Sequence, residues 1–178
     1  MIHRLEKCSL RPLESKDIQH LYEFKNNPKV AALLGGFHTG LSSDKMVEWL
    51  EYHRKKPDEV LWAIADLNDD SCLGHVGLYQ IDHRVRSSEF AIMVGASGHW
   101  GRGLGRSVTH FVLDWGFSEL NLNRIHLSVL ATNERAIRLY RSLGFVEEGR
   151  LRQAQFKGGR FIDVVLMSIL RDEFKRAE

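Results

Sequence analysis

Apolar and polar positions change their period several times along the chain. Leu5 to Leu13 read as a first strand, which Pro12 brings to its end. Ser15 is then placed to cap a helix running to Asn26, with Ile18, Leu21, Tyr22 and Lys25 on one face. "NNPK" and "GGFHTG" interrupt the pattern around a short apolar run at 30–34. A second helix, capped by Ser43 or Asp44, turns Met46, Val47 and Leu50 inward and stops before Pro57.

The middle of the chain is rich in β-formers. Residues 60–66 and 72–82 flank the turn "NDDS" and predict a hairpin, and 88–94 predict a third strand. Leu104, Val108, Phe111, Val112 and Trp115 then form a helical stripe. Residues 124–130 read as another strand. Asn133 caps a helix carrying Ile137, Tyr140 and Leu143, and Gly144 ends it. A hairpin around "KGGR" closes the chain. The order is β-αα-βββ-α-β-α-ββ, whose strand–helix–strand unit predicts one parallel pairing inside a mixed sheet.

Composition narrows the class. The 178 residues suit a single domain spanning 1–178. A formal charge of +2 with no long run of one sign argues against a nucleic-acid binder. Cys8 and Cys72 stand far apart, so a reducing, cytoplasmic setting is expected. The first residues carry no apolar signal segment, and no apolar run reaches membrane-spanning length, so no membrane partner is expected. The nine histidines form no ligand-like spacing with each other or with the cysteines, and no metal is expected.

One stretch carries chemistry. In "GHWGRGLGRS", residues 98–107, Gly101, Gly103 and Gly105 alternate at the mouth of a helix, with Arg102 and Arg106 among them. Main-chain N–H groups at a helix start bind phosphate oxygens when no side chain blocks the approach. No G-x-x-x-x-G-K-[ST] loop is present, and the spacing differs from the G-x-G-x-x-G dinucleotide fingerprint.

The glycine loop, joined to "NRIHLSVLATNERAIRLYRSLGFVEEGRL", resembles the GNAT superfamily of acetyl-CoA-dependent N-acetyltransferases. Within it the chain is most similar to the branch of ribosomal-protein N-terminal and spermidine acetyltransferases. The resemblance runs from "LRPLESKD" to the last hairpin, and Trp100 departs from the family's Gln or Arg at the head of Q/R-x-x-G-x-G/A. It implies an α+β fold, with a mixed, mostly antiparallel twisted sheet of about seven strands flanked by about four helices.

The resemblance also implies a site. The strands at 88–94 and 124–130 splay apart where a bulge in the first breaks the ladder. Ile92, Met93 and Val94 hold the cofactor's pantetheine arm. Trp100, Gly101, Arg102, Gly103, Leu104, Gly105 and Arg106 hold its pyrophosphate, and Asn133 meets the arm from the other side. Tyr140 matches the family's proton donor to the departing thiolate. Glu89 opens the strand leading into the site, where it serves as base or substrate contact.

The acceptor is an amine attacked directly in a ternary complex. In this fold the first helices wall the acceptor site, here about 26–53, a segment with few acids before Asp44. Several carboxylates would be needed for a polyamine, so the sequence favours a protein N-terminus or a small amine. A polyamine, a nucleotide-linked amino sugar, or a non-catalytic acetyl-CoA-binding module are the alternatives, and a homo-oligomer is compatible with the branch.

Overall fold

A computed structural model describes residues 1–36 and 40–176. The strands are β1 (His3–Arg4), β2 (Ser9–Pro12), β3 (Val60–Ala65), β4 (Cys72–Asp82), β5 (Ser87–Val94), β6 (Arg124–Leu130), β7 (Val146–Lys157) and β8 (Arg160–Leu170). The helices are α1 (Ile18–Asn26), α2 (Pro28–Ala31), α3 (Ser43–Arg54), α4 (Leu104–Ser118) and α5 (Glu134–Ser142). The strands form one sheet in the order β1-β2-β3-β4-β5-β6-β8-β7. Among the described residues only the β5/β6 pairing is parallel; all others are antiparallel. This is the mixed α+β architecture expected; the described residues form eight strands and five α-helices where about seven and about four were expected.

Each face of the sheet buries its own apolar layer. One layer joins Val76, Leu78, Phe90, Ile125 and Leu127 to Val108 and Val112 of α4 and to Ile137 and Tyr140 of α5. The other joins Ala63, Cys72 and Met93 to Leu21 of α1, Val30 of α2, and Met46 and Leu50 of α3. The α4 stripe faces inward because Leu104, Val108 and Val112 recur every fourth residue. Asn133 caps α5 by accepting from the Ala136 N–H at 3.2 Å, and Gly144, at φ +100°, ends that helix.

Several local expectations are corrected. Glu14 rather than Ser15 precedes the first helical turn, and Ser42, accepting from the Lys45 N–H at 3.3 Å, caps α3 in place of Ser43 or Asp44. The first strand is two short ones, because the chain reverses at 5–8, where the Leu5 N–H bonds the Cys8 carbonyl at 2.8 Å. Val47 is 44% exposed, since α3 turns Met46, Trp49 and Leu50 toward the sheet instead. The irregularity beside β5 lies in β4, not in β5: Gln80 adopts φ +51° where the register slips between Tyr79 and Asp82.

Candidate active site

β5 and β6 stay together for only three pairs: Ser87 with Arg124, Ser88 with Ile125, and Glu89 with His126. Beyond Glu89 they part, although β5 remains paired to β4 as far as Val94 and β6 to β8 as far as Leu130. A cavity of about 960 Å³ opens between them. The Gly95 N–H bonds the Leu73 carbonyl at 2.9 Å, which fixes the phase of the β4/β5 ladder. Alternate residues of an antiparallel strand turn their main chain to opposite neighbours. Met93 therefore spends its main chain on β4, while Ile92 and Val94 turn theirs to the gap.

The glycine loop closes one end of this gap. Gly101 and Gly103 both sit at φ +81°, a conformation that L side chains rarely adopt. Gly103 is the N-cap of α4, and the first helical bond runs from the Ser107 N–H to the Gly103 carbonyl. The N–H groups of Leu104, Gly105 and Arg106 are thus left without helical partners at the positive end of the helix dipole. Arg106 is steadied by donating to the Ser142 hydroxyl at 2.6 Å.

Of the candidate residues, Glu89, Ile92, Met93, Val94, Trp100, Gly101, Gly103, Leu104, Gly105, Arg106, Asn133 and Tyr140 all border the one cavity. Arg102 does not; its carbonyl instead accepts from the Lys7 ammonium at 2.8 Å. Trp100 contributes a side chain rather than main chain alone, donating its indole N–H to the Val94 carbonyl at 2.8 Å.

Tyr140 is gripped between Phe90, with ring centres 6.3 Å apart, and Phe145, at 5.6 Å. Burial pushes its phenol up to about 12. Glu89 stands at the last paired position, opposite Tyr79 on β4 and His126 on β6. Burial, with the nearby Glu59 and Glu89 charges, raises the Tyr79 phenol well above its ordinary value.

Apart from His126, whose strand pattern allows it on the substrate side, several cavity residues carry no signal in the sequence. Arg124 grips Glu148 through two hydrogen bonds of 2.6 and 2.5 Å. That grip, opposed by desolvation and helped by the Ser168 hydroxyl, holds the Glu148 carboxyl down at about 2. His126 lies between these groups and Glu89. Val30, Leu33 and Leu34, with Leu151, Ala154 and Gln155 from the last hairpin, border the same cavity. Strand periodicity marks such residues as inward or outward, but only the topology brings them together.

A slot flanked by unpaired main chain and ending on a bare helix N-terminus suits a long amide-bearing arm with a diphosphate at one end. The chain matches the acetyltransferase (GNAT) domain model over residues 7–146. This protein is a GNAT acetyltransferase. It is 34% identical over 169 residues to spermidine N(1)-acetyltransferase of Vibrio cholerae, covering 94% of this chain and 95% of the relative. The crystal structure of the Vibrio cholerae spermidine N-acetyltransferase in complex with CoA and spermine matches with a TM-score of 0.86 at 32% identity. That match covers 95% of this chain and 98% of the other. A dodecameric structure of the Vibrio cholerae enzyme matches with a TM-score of 0.79 at 32% identity, covering 94% and 96%.

The protein is accordingly an acetyl-CoA-dependent N-acetyltransferase. Among the described residues, no helix is long and apolar enough to cross a membrane, and no cluster of His, Cys, Asp or Glu is placed to hold a metal.

Proposed function

We propose that this enzyme acetylates a primary amine of a polyamine of the spermidine and spermine class. The supporting observation is the full-length likeness to spermidine acetyltransferases, with Glu89 as the one cavity carboxylate not held in an ion pair among the described residues. The Glu89 carboxylate borders the cavity at the point where β5 and β6 part, across the sheet from Tyr140. The preference for a protein N-terminus or a small amine rests on the shortage of acids in 26–53. Cavity carboxylates come instead from β5, as Glu89, and from β7, as Glu148, the latter neutralised by Arg124.

Acetyl-CoA supplies the acetyl group as a thioester when bound. The main chain of Ile92 and Val94 pairs with the cofactor's arm, and Met93 anchors β5 to β4 behind it. Gly101, Gly103, Leu104, Gly105 and Arg106 receive the diphosphate, with Trp100 and Arg102 shaping the loop and Asn133 facing the arm from α5. Glu89 attracts the acceptor's ammonium group to the gap. Tyr140 holds its proton at neutral pH and gives it to the departing sulfur. The enzyme works as a homo-oligomer.

Free-thiol release from acetyl-CoA tests this across spermidine, spermine, peptides with Ala or Ser N-termini, aminoglycosides and nucleotide-linked amino sugars. Spermidine and spermine are expected to give the highest kcat/KM. A peptide or amino sugar exceeding both overturns the polyamine reading and leaves acetyl transfer standing.

A further inference from the structure

We propose that His126 is the group that takes the proton from the attacking amine. The proposal rests on the acceptor being a primary amine that arrives as an ammonium ion, as an aliphatic amine does near neutral pH. Three observations carry it.

The first is position. His126 is the register partner of Glu89 in the last pair before β5 and β6 separate, and its ring borders the cavity. The second is side. Ile125 and Leu127, its neighbours along β6, are packed into the layer that contains Tyr140. Side chains alternate along a strand, so His126 stands on the opposite face of the sheet. The parting of the strands thus separates a phenol on one face from an imidazole on the other. The third is an unfilled valence. The Nδ1 of His126 is shielded from solvent and has no hydrogen-bond partner among the described residues. A buried polar atom without a partner is costly, and no acceptor among the described residues holds a proton on this nitrogen, so no hydrogen bond fixes the ring's tautomer.

The surroundings suit a proton acceptor. Glu89 faces His126 from β5, Ser168 from β8 and Glu148 from β7, with Arg124 and Ser128 on its own strand. Arg124 is spent on Glu148, which leaves Glu89 as the carboxylate across the register pair from His126. Imidazole is the side chain best matched to proton uptake near neutral pH.

The protons balance. His126 takes one proton from the ammonium group and passes it to solvent. The freed nitrogen lone pair forms the C–N bond to the acetyl carbon as the C–S bond breaks. Tyr140 gives its hydroxyl proton to the sulfur, and the second proton shed by the nitrogen restores the phenol. The net products are the acetamide, the CoA thiol and one released proton.

The test compares wild type with His126→Gln and His126→Ala, using the best amine acceptor of the wild-type enzyme and acetyl-CoA affinity by calorimetry. In His126→Gln, kcat at pH 7 should fall by about 100-fold with acetyl-CoA affinity unchanged. The deficit should shrink to less than about 10-fold near pH 9.5, because the amine then arrives increasingly neutral. Added imidazole should restore part of the activity of His126→Ala. Unchanged kcat overturns the assignment. So does a deficit that is equal at every pH, or one that follows weakened acetyl-CoA binding without imidazole rescue. A wild-type enzyme silent on every primary amine overturns the acceptor reading and the assignment together; an active wild type with an indifferent variant overturns the assignment alone.

Discussion

The indole N–H of Trp100 donates to the main-chain carbonyl of Val94 across 2.8 Å, tying the head of the glycine loop to the end of β5. The bond holds together the two parts of the slot proposed for the cofactor, the strand edge and the glycine loop. Trp100→Phe keeps most of the packing and removes the donor. A lost hydrogen bond of this kind costs about 1 kcal/mol, which corresponds to roughly five-fold in affinity. Acetyl-CoA titration by calorimetry should read that loss, together with a lower unfolding midpoint. No change in either would show the bond to be idle.

Tyr140 offers a sharper separation of effects. Its ring is held by Phe90 and Phe145, so Tyr140→Phe should leave both the fold and acetyl-CoA affinity intact. Turnover should fall by about 100-fold, the usual scale for a lost proton donor. Because burial raises the phenol to about 12, the donor form persists as pH rises. The wild-type rate should therefore show no descending limb from Tyr140 below about pH 11. Full turnover in the variant removes Tyr140 from the chemistry.

Much of this was legible in the chain itself. Residues 124–130 and 104–118 carry clean strand and helix periods, and the structure places β6 and α4 there. Asn133 and Gly144 mark the two ends of α5 through capping chemistry that depends only on local sequence. The rest depends on pairing. The reversal between β1 and β2 has no glycine or asparagine to announce it. The slip at Gln80 is a property of two strands rather than one. Glu89, His126 and Glu148 lie far apart in sequence and become neighbours only through the strand order β5-β6-β8-β7. The acids bordering the cavity therefore could not be found by counting carboxylates in 26–53.

Stability leans on a buried ion pair at the other end of the sheet. Arg11, with a side chain 4% exposed, meets Asp17, 2% exposed, through hydrogen bonds of 2.8 and 2.9 Å. Asp17 also accepts the Glu14 N–H at 2.9 Å. Removing one member of such a pair leaves a buried charge uncompensated, at about 3–5 kcal/mol. Asp70, which also accepts from Arg11 at 2.8 Å, should hold the cost of Asp17→Ala near the lower end of that range. Urea unfolding checks this; a loss under about 1 kcal/mol would mean that Asp70 alone satisfies Arg11.

The two cysteines should be silent in the folded protein. Both Cys8 and Cys72 are buried, and burial raises their thiols to about 11 and about 12. The thiolate is the reactive form, so a disulfide reagent at pH 8 should find neither until the chain unfolds, and then both. The assay for released CoA thiol should accordingly carry no background from the protein. Rapid reaction of one equivalent in the native state would show that one of these layers opens.

The glycine loop supplies the decisive variant for the cofactor site. Gly103 sits at φ +81°, and a Cβ there would lie 3.0 Å from the Lys7 Nζ. The ammonium is the far end of a flexible side chain and can move aside, so the clash itself is cheap. The strain of a side chain at that φ is not, at about 1–3 kcal/mol, and the branched chain of Val would also stand over the N–H groups proposed to meet the diphosphate. Gly103→Val should therefore weaken acetyl-CoA binding at least about ten-fold, since each 1.4 kcal/mol is a decade. Gly98→Ala is the matched control, because a Cβ at Gly98 meets nothing within 4 Å and its φ is not in the left-handed region. Its affinity should stay close to wild type. Near-normal binding by Gly103→Val would place the diphosphate elsewhere and detach the loop from the cofactor.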